Sequence, residues 1–483
     1  VTLGSSAVMT APVGIPNRKV NISLLLAVVF ISAFIDGLDG SIVNIALPDI
    51  ATDMSADTTM VSWVSITYML VLASTLVPFA KMASTVSVRR IMTIGLTIFT
   101  VSSLVCGLSS SFIMLVTARV VQGLGAAMIS AAGPICCTRY LSISRLGTGL
   151  GIITAGTALG FALGPAVGGF ILDMTTWHWI FFINLIPGAV GVLGIVMSVP
   201  KENVSSKPDV DWPGAVSLCI AIASGTFCIE SLVTPDAIVS SASFSVSIIA
   251  MMAFIHIERR SEKPLLNLSM FAYNGFMIIF LSMILMNMAY MGILYITPFY
   301  CTVCMGLQSS EIGILVMTSA ITTAIFSIPV ARWSNSSGRR MFCVVSGLFL
   351  AGSMSLLILF ARDMTIPMMV VSMVLKGLGW AFMGGPMASN LIEHSRKERD
   401  MASSLMNEAY YIGGTVGTAL IAVVFAIMSS TSGIGVQDIT ESAFIDGFVP
   451  VVAIVLSIGI LVSVLSVFVK DDKEKTFNDR TLT

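Results

Sequence analysis

The chain has 483 residues, of which 56% are hydrophobic and only 11% charged, with a mean hydropathy of +0.95. A soluble domain carries about 25% charged residues, so this chain has too few to cover a water-facing surface. That excludes a soluble enzyme, a nucleic-acid-binding protein and a disordered chain, and leaves a polytopic membrane protein; the net charge of −1 points to no global electrostatic partner.

The first twenty residues are polar and include Arg18 and Lys19. They lack a short apolar core followed by a cleavage site, so the first apolar segment is expected to stay as an anchor. A spanning helix needs about 20 apolar residues. By that measure the spans run 22–48, 59–80, 90–109, 111–136, 147–172, 178–199, 212–233, 238–257, 275–299, 311–331, 341–361, 366–391, 401–428 and 445–469. The expected fold is all-α, with fourteen spans. Its parts are a tail (1–21), a six-helix bundle (22–199), a linker with two extra helices (200–274), a second bundle (275–469) and a tail (470–483).

Charge placement supports this alternation. With the N-terminus cytoplasmic, 22 of the 25 basic residues fall in cytoplasmic loops and tails, including Arg89, Arg90, Arg139, Arg145, Arg259, Arg260, Arg339 and Arg340. Only Arg362 falls outside, and Arg119 and Lys376 lie within spans. Basic residues accumulate on the cytoplasmic side, so both termini are expected in the cytoplasm of a cell-membrane protein. An internal repeat agrees with two bundles. Val121-Gln-Gly-Leu-Gly-Ala-Ala127 returns 254 residues later as Leu375-Lys-Gly-Leu-Gly-Trp-Ala381. Arg89-Arg90 returns as Arg339-Arg340, and Leu47-Pro48 as Thr297-Pro298, both at 250. The two Pro pairs are read as the ends of their helices, and parallel repeats of this kind suit a rocking transporter.

Four segments carry the motifs. They are Leu38-Asp39 through Asn44 to Pro48; Arg119-x2-Gln122-Gly123-x-Gly125; Gly156-x3-Gly160-x3-Gly164-Pro165-x2-Gly168-Gly169; and Trp177-His178-Trp179 through Asn184 to Pro187-Gly188. Together they resemble the major facilitator superfamily, in particular its fourteen-helix drug:proton antiporters. The resemblance implies a major facilitator fold and export of amphipathic, cationic compounds driven by the proton gradient. It implies no cofactor, small-molecule substrate and protons as partners, and a monomer in the bilayer. An exporter of an amino acid, peptide or siderophore is the alternative, and a non-transporting sensor a remote one. No GxxxxGK[ST] loop is present for ATP to drive the cycle.

The residues have physical readings of their own. Gly156, Gly160, Gly164 and Gly168 form a smooth ridge that admits a neighbouring backbone, and Pro165 permits a bend, as a conformational hinge needs. Asp36 and Asp39 are three apart and share a helix face. Counting 1.5 Å per residue puts both in the outer half of the bilayer, level with Arg119, where an unpaired charge costs at least ~2.5–3.5 kcal/mol. Asp39, with Asp36 and Arg119 beside it, is expected to carry proton coupling, Asp39 foremost. Lys376 and Glu408 both approach the midplane; they either pair, the favoured reading, or Glu408 faces the cavity. Asn44, Gln122, Tyr290 and Tyr410 complete the candidate cavity residues. No metal site is expected: Cys301 and Cys304 form a lone CxxC with no second half, and the eight cysteines are read as small apolar side chains. The loop over 80–90 lacks the acid and glycines of the superfamily's cytoplasmic latch, having Ser84, Ala80 and Ser87 instead.

Overall fold

A computed structural model describes residues 20–201, 211–232, 237–261, 271, 274–337, 339–394, 399–430 and 438–469. Lys207, Asp236, Lys263, Arg396, Lys397 and the basic residues of both tails lie outside the described residues. The described residues form fifteen helices: α1 (Ile22–Asp53), α2 (Thr58–Thr85), α3 (Val88–Gly107), α4 (Phe112–Tyr140), α5 (Ile143–Met174), α6 (Trp179–Phe182), α7 (Leu185–Ser198), α8 (Trp212–Ser231), α9 (Ala237–Arg260), α10 (Asn274–Val303), α11 (Ser309–Ser337), α12 (Arg340–Leu359), α13 (Ile366–His394), α14 (Arg399–Ser429) and α15 (Glu441–Val467). They make fourteen apolar segments long enough to cross a membrane. The sixth, expected as one helix, is broken into α6 and α7 by a turn at Ile183 and Asn184.

Helix ends follow local chemistry. Asn21, Asp57, Ser87 and Ser111 each accept a hydrogen bond from a backbone N–H three residues on, capping α1 to α4. The expectation that Pro48 and Pro298 end their helices does not hold. Both lie inside, and α1 and α10 run on to Asp53 and Val303. A proline costs less in a helix encased by other helices, where neighbours resatisfy the freed carbonyl.

Helices α1–α7 and α10–α15 form two bundles, with α8 and α9 packed on each other and α8 lying against α2 and α14. The glycine ridge of α5 packs on α1. A Cβ at Gly156 would sit 2.8 Å from the Phe30 carbonyl oxygen, and one at Gly160 would run into that of Phe34. Gly413 and Gly417 of α14 face the Ile284 and Met288 carbonyls of α10 in the same manner. The ridge expected at a moving interface is thus internal to the first bundle. The adjoining face of α5 crosses between bundles, with Gly169 against Ser309 and Pro165 against Gly313 of α11.

The bundles meet at the end away from the chain termini. There the Tyr295 hydroxyl donates to the Thr58 carbonyl, and the Ser310 N–H donates to Asp173 (3.2 Å). Burial follows the same gradient. Every residue from Ile35 to Pro48 in α1 and from Met291 to Cys301 in α10 is buried, whereas the halves nearer the termini alternate between buried and exposed. The far end is closed, and the inner faces of these central helices loosen toward the termini.

Candidate functional site

The centre of the first bundle holds a charged cluster. The Arg119 guanidinium donates to Asp39 Oδ2 at 2.6 Å, with Arg119 1% and Asp39 0% exposed. Asp39 Oδ1 accepts from Gln122 Nε2 (2.9 Å) and from Asn184 Nδ2 (3.0 Å). Arg119 also donates through Nε to the Val64 carbonyl (2.9 Å) and to Gln122 Oε1 (2.7 Å), and its guanidinium lies 4.2 Å from the Tyr68 ring centroid. Gln122 donates onward to Ser103 Oγ (2.8 Å). Each side chain has its place for a local reason. Arg119 and Gln122 are three apart on α4 and share a face, while Asn184 is the N-cap residue of α7, which packs on α1. Two buried charges are tolerable only when paired and hydrogen-bonded, and here the pair is supported on every side by groups of the first bundle.

Asp36, one helical turn from Asp39, has a different shell. It accepts from the hydroxyls of Tyr68 (3.0 Å), Ser130 (2.9 Å) and Tyr411 (3.3 Å). No cation touches it among the described residues, and Tyr411 belongs to α14 of the second bundle. Asp36 therefore lies where the bundles touch, while Asp39 lies within one of them.

The second bundle differs from the expected pairing. Lys376 and Glu408 make no ion pair. Lys376, 1% exposed, holds its ammonium 4.3 Å from the Tyr290 ring centroid. Glu408, 2% exposed, has neither oxygen hydrogen-bonded. Its electrostatic neighbours are Cys219 of α8 and Tyr411. The reason is depth. Lys376 is ten residues from the far end of α13, and Glu408 is twenty-one from the far end of α14. Eleven residues correspond to about 16 Å.

A run of aromatic rings continues from Lys376. Tyr290 packs on Trp380 at 5.1 Å, Trp380 on Tyr410 at 6.3 Å, and Tyr410 on Tyr411 at 5.2 Å. Tyr410 also meets Phe161 of α5 edge-on at 5.9 Å, across the bundles. All five rings are half-buried. Tyr290 and Tyr410 thus keep some exposure. Asn44 and Gln122 do not. Asn44 bonds the Gly40 carbonyl and Ser65 at the α1–α2 contact, and Gln122 supports Asp39. Tyr68, Ser103, Ser130, Asn184 and Tyr411 belong to the site without having been assigned a role from sequence. For Asn184 and the serines the available signal was a polar side chain within an apolar helix.

An apolar groove of about 580 Å³ between α3 and α4, lined by Val101, Val105, Met114 and Val121, opens on the outer surface instead. At the ends nearest the termini, Arg89 donates to the Val196 carbonyl (3.1 Å), a contact within the first bundle. The side chains of Ser84, Glu230 and Asn335 lie outside the described residues.

Known proteins resemble this chain in sequence and in fold. The chain is 30% identical over 420 residues to the uncharacterized transporter YebQ of Escherichia coli, covering 85% of this chain and 90% of that protein. It is 27% identical to the multidrug resistance protein Stp of Mycobacterium tuberculosis, over 85% of this chain and 77% of Stp. The crystal structure of a bacterial homolog of the human lysosomal transporter Spinster superposes with a TM-score of 0.67 at 15% identity, covering 95% of this chain and 98% of that one, and shows the shared fold. The sequence model of the Major Facilitator Superfamily matches residues 29–310 and 279–482. With fourteen apolar helices in two repeated bundles, the chain is a multi-pass membrane protein that belongs to the Major Facilitator Superfamily.

Proposed function

We propose that this protein is a proton-coupled exporter of amphipathic aromatic compounds, working by alternating access. The observation that carries the reading is the hydrogen bond from Tyr411 of the second bundle to Asp36 of the first. A carboxylate that couples proton movement to rocking must change its surroundings when the bundles separate. Asp36 does so, because one of its three donors leaves with the other bundle. Asp39 does not, because Arg119, Gln122 and Asn184 travel with it. The geometry therefore favours Asp36 as the proton carrier, with the Asp39–Arg119 pair fixing the charge beside it, an order opposite to that expected from the motif alone. The multidrug resistance name of Stp supports an exporter, and the basic residues gathered at one end of the helices support cytoplasmic termini in a cell membrane. The chain is proposed to act as a monomer.

A metabolite exporter is the second reading. Lys376 favours it, because its ammonium has no carboxylate partner among the described residues and would attract an anionic cargo.

The test uses purified protein in liposomes with an imposed pH gradient and entrapped pyranine. Ethidium and a panel of aromatic metabolites serve as cargo. Wild-type protein is expected to exchange lumenal protons for cargo. Asp36→Asn keeps nearly the same size and hydrogen-bonding capacity; it should fold, bind ethidium and lose gradient-driven transport. Full gradient-driven transport by folded Asp36→Asn would remove this residue from the proton path.

A further inference from the structure

Two opposite charges stand at the ends of one aromatic strip. Lys376, from α13 of the second bundle, is buried and touches the face of Tyr290 rather than an anion. Asp36, from α1 of the first, is 9% exposed and held only by hydroxyls. Between them run Tyr290, Trp380, Tyr410 and Tyr411, each ring 5.1–6.3 Å from the next. The four rings are half-buried. A cation against a ring face keeps part of its attraction, but a buried ammonium with no anion forgoes the charge-assisted hydrogen bonds that make burial tolerable. Among the described residues nothing supplies that anion. Ala289 occupies the place in α10 that corresponds, 250 residues on, to Asp39 in α1.

We infer that the cargo is amphoteric, a flat aromatic body carrying an anionic group that meets Lys376 at one end and a basic group that meets Asp36 at the other. The rings bind the aromatic body by stacking and apolar burial, which are tolerant of outline. The two charges give direction and selectivity. The basic group of the cargo and the proton then occupy the same carboxylate in turn. A cargo lying along the strip touches both bundles, so its binding is sensitive to their relative position. This inference deepens the proposed export function and rests on it for the direction of movement, but the recognition it describes is an equilibrium property.

The experiment measures binding by calorimetry, at pH 7 and with no gradient, to protein in lipid nanodiscs. Four probes share one scaffold. They are 4′-(aminomethyl)biphenyl-4-carboxylic acid, biphenyl-4-carboxylic acid, 4-phenylbenzylamine and 4-phenylbenzyl alcohol. Wild-type protein should bind the amino acid form at least about tenfold more tightly than either singly charged probe, with the alcohol weakest. Lys376→Met should lower the amino acid form to the affinity of the amine and leave the amine unchanged. Asp36→Asn should lower it to the affinity of the acid. Equal affinity of the amino acid form and the amine for wild-type protein would overturn the inference without any variant having to fold. A Lys376→Met loss shared equally by amine and amino acid would overturn it too. Because no proton gradient is present, this selectivity can hold while gradient-driven transport fails in the liposome test, and the reverse, so the two readings fall separately.

Discussion

The two bundles repeat one scaffold and use it differently at the same level. In the first, α4 brings Arg119 and Gln122 to Asp39 of α1, and the charge is closed within the bundle. In the second, Lys376 stands 254 residues after Gln122, while α10 offers Ala289 where α1 offers Asp39. Met373 stands where α4 has Arg119, and a lysine has taken the place of Gln122 with no acid opposite it, so Lys376 turns to the face of Tyr290. The contrast shows how a duplicated fold separates two tasks. One bundle fixes a charge pair that maintains its own structure. The other leaves a charge toward the interior, where a ligand can complete it.

Breaking the closed charge should have the largest effect. Arg119→Met leaves Asp39 buried beside two amides and no cation. Removing one partner of a buried pair costs about 3–5 kcal/mol, so the folded yield and the melting temperature in detergent should fall sharply. Adding Asp39→Asn should recover part of the loss, because the orphaned charge is then gone. Losses that simply add in the double variant would show that the two side chains are not coupled.

Giving the second bundle the acid of the first sharpens the comparison. In Ala289→Asp, Lys376 gains a carboxylate from α10 and should leave the Tyr290 face for it. The protein should stay folded, while the roughly tenfold gain contributed by the anionic end of the biphenyl amino acid disappears. A folded Ala289→Asp protein that keeps this gain would show that Lys376 does not read the anion.

The coarse contrast between bundles could be read before any coordinates, but its detail could not. Fourteen spans are legible because apolar length is a strong signal, and the 254-residue repeat aligns Lys376 with Gln122. Asp39 and Arg119 announce themselves by the cost of unpaired charge in a bilayer. Pairing Lys376 with Glu408 fails because nearness of each to the midplane does not put them level: the apolar spans already place them ten and twenty residues from their outer ends. α13 starts at Ile366 and α14 ends at Ser429 at that side, so the two charges sit on different turns. Asn184 stands in one of the motif segments, yet its bond to Asp39 joins residues 145 apart and depends on the packing of α7 against α1. The shell of Asp36 was out of reach for a further reason. Tyr411 lies 375 residues away in sequence, and only the packing of α14 against α2 brings it near.

Cutting the link between bundles while leaving each intact should act more gently. Tyr411→Phe removes the hydroxyl that reaches Asp36 and keeps the ring that packs on Tyr410. One hydrogen bond is worth about 1 kcal/mol, enough to shift the balance between the open and closed arrangements by roughly fivefold. Transport in the liposome assay should change by about that factor, with the melting temperature nearly constant. Transport identical to wild type across the pH range would mean that the bond plays no part in coupling.

The smallest effect belongs to the end nearest the termini. In the resembled antiporters a basic and acidic cluster between the second and third spans is expected to latch that end. Here Ser87 replaces a glycine, capping α3 through the Arg90 N–H, and Arg89 reaches the Val196 carbonyl near the end of α7. A cation near a helix C-terminus meets the partial negative charge of its last carbonyls, worth about 0.3–1 kcal/mol at an exposed site. The contact joins α3 to α7 of one bundle and spans no interface. Arg89→Gln should therefore lower the melting temperature by a degree or two at most and leave the rate of transport nearly unchanged. A large loss of transport in a normally folded Arg89→Gln protein would show that Arg89 acts on the other bundle during the cycle, and that this end is latched in some arrangement despite the missing acid.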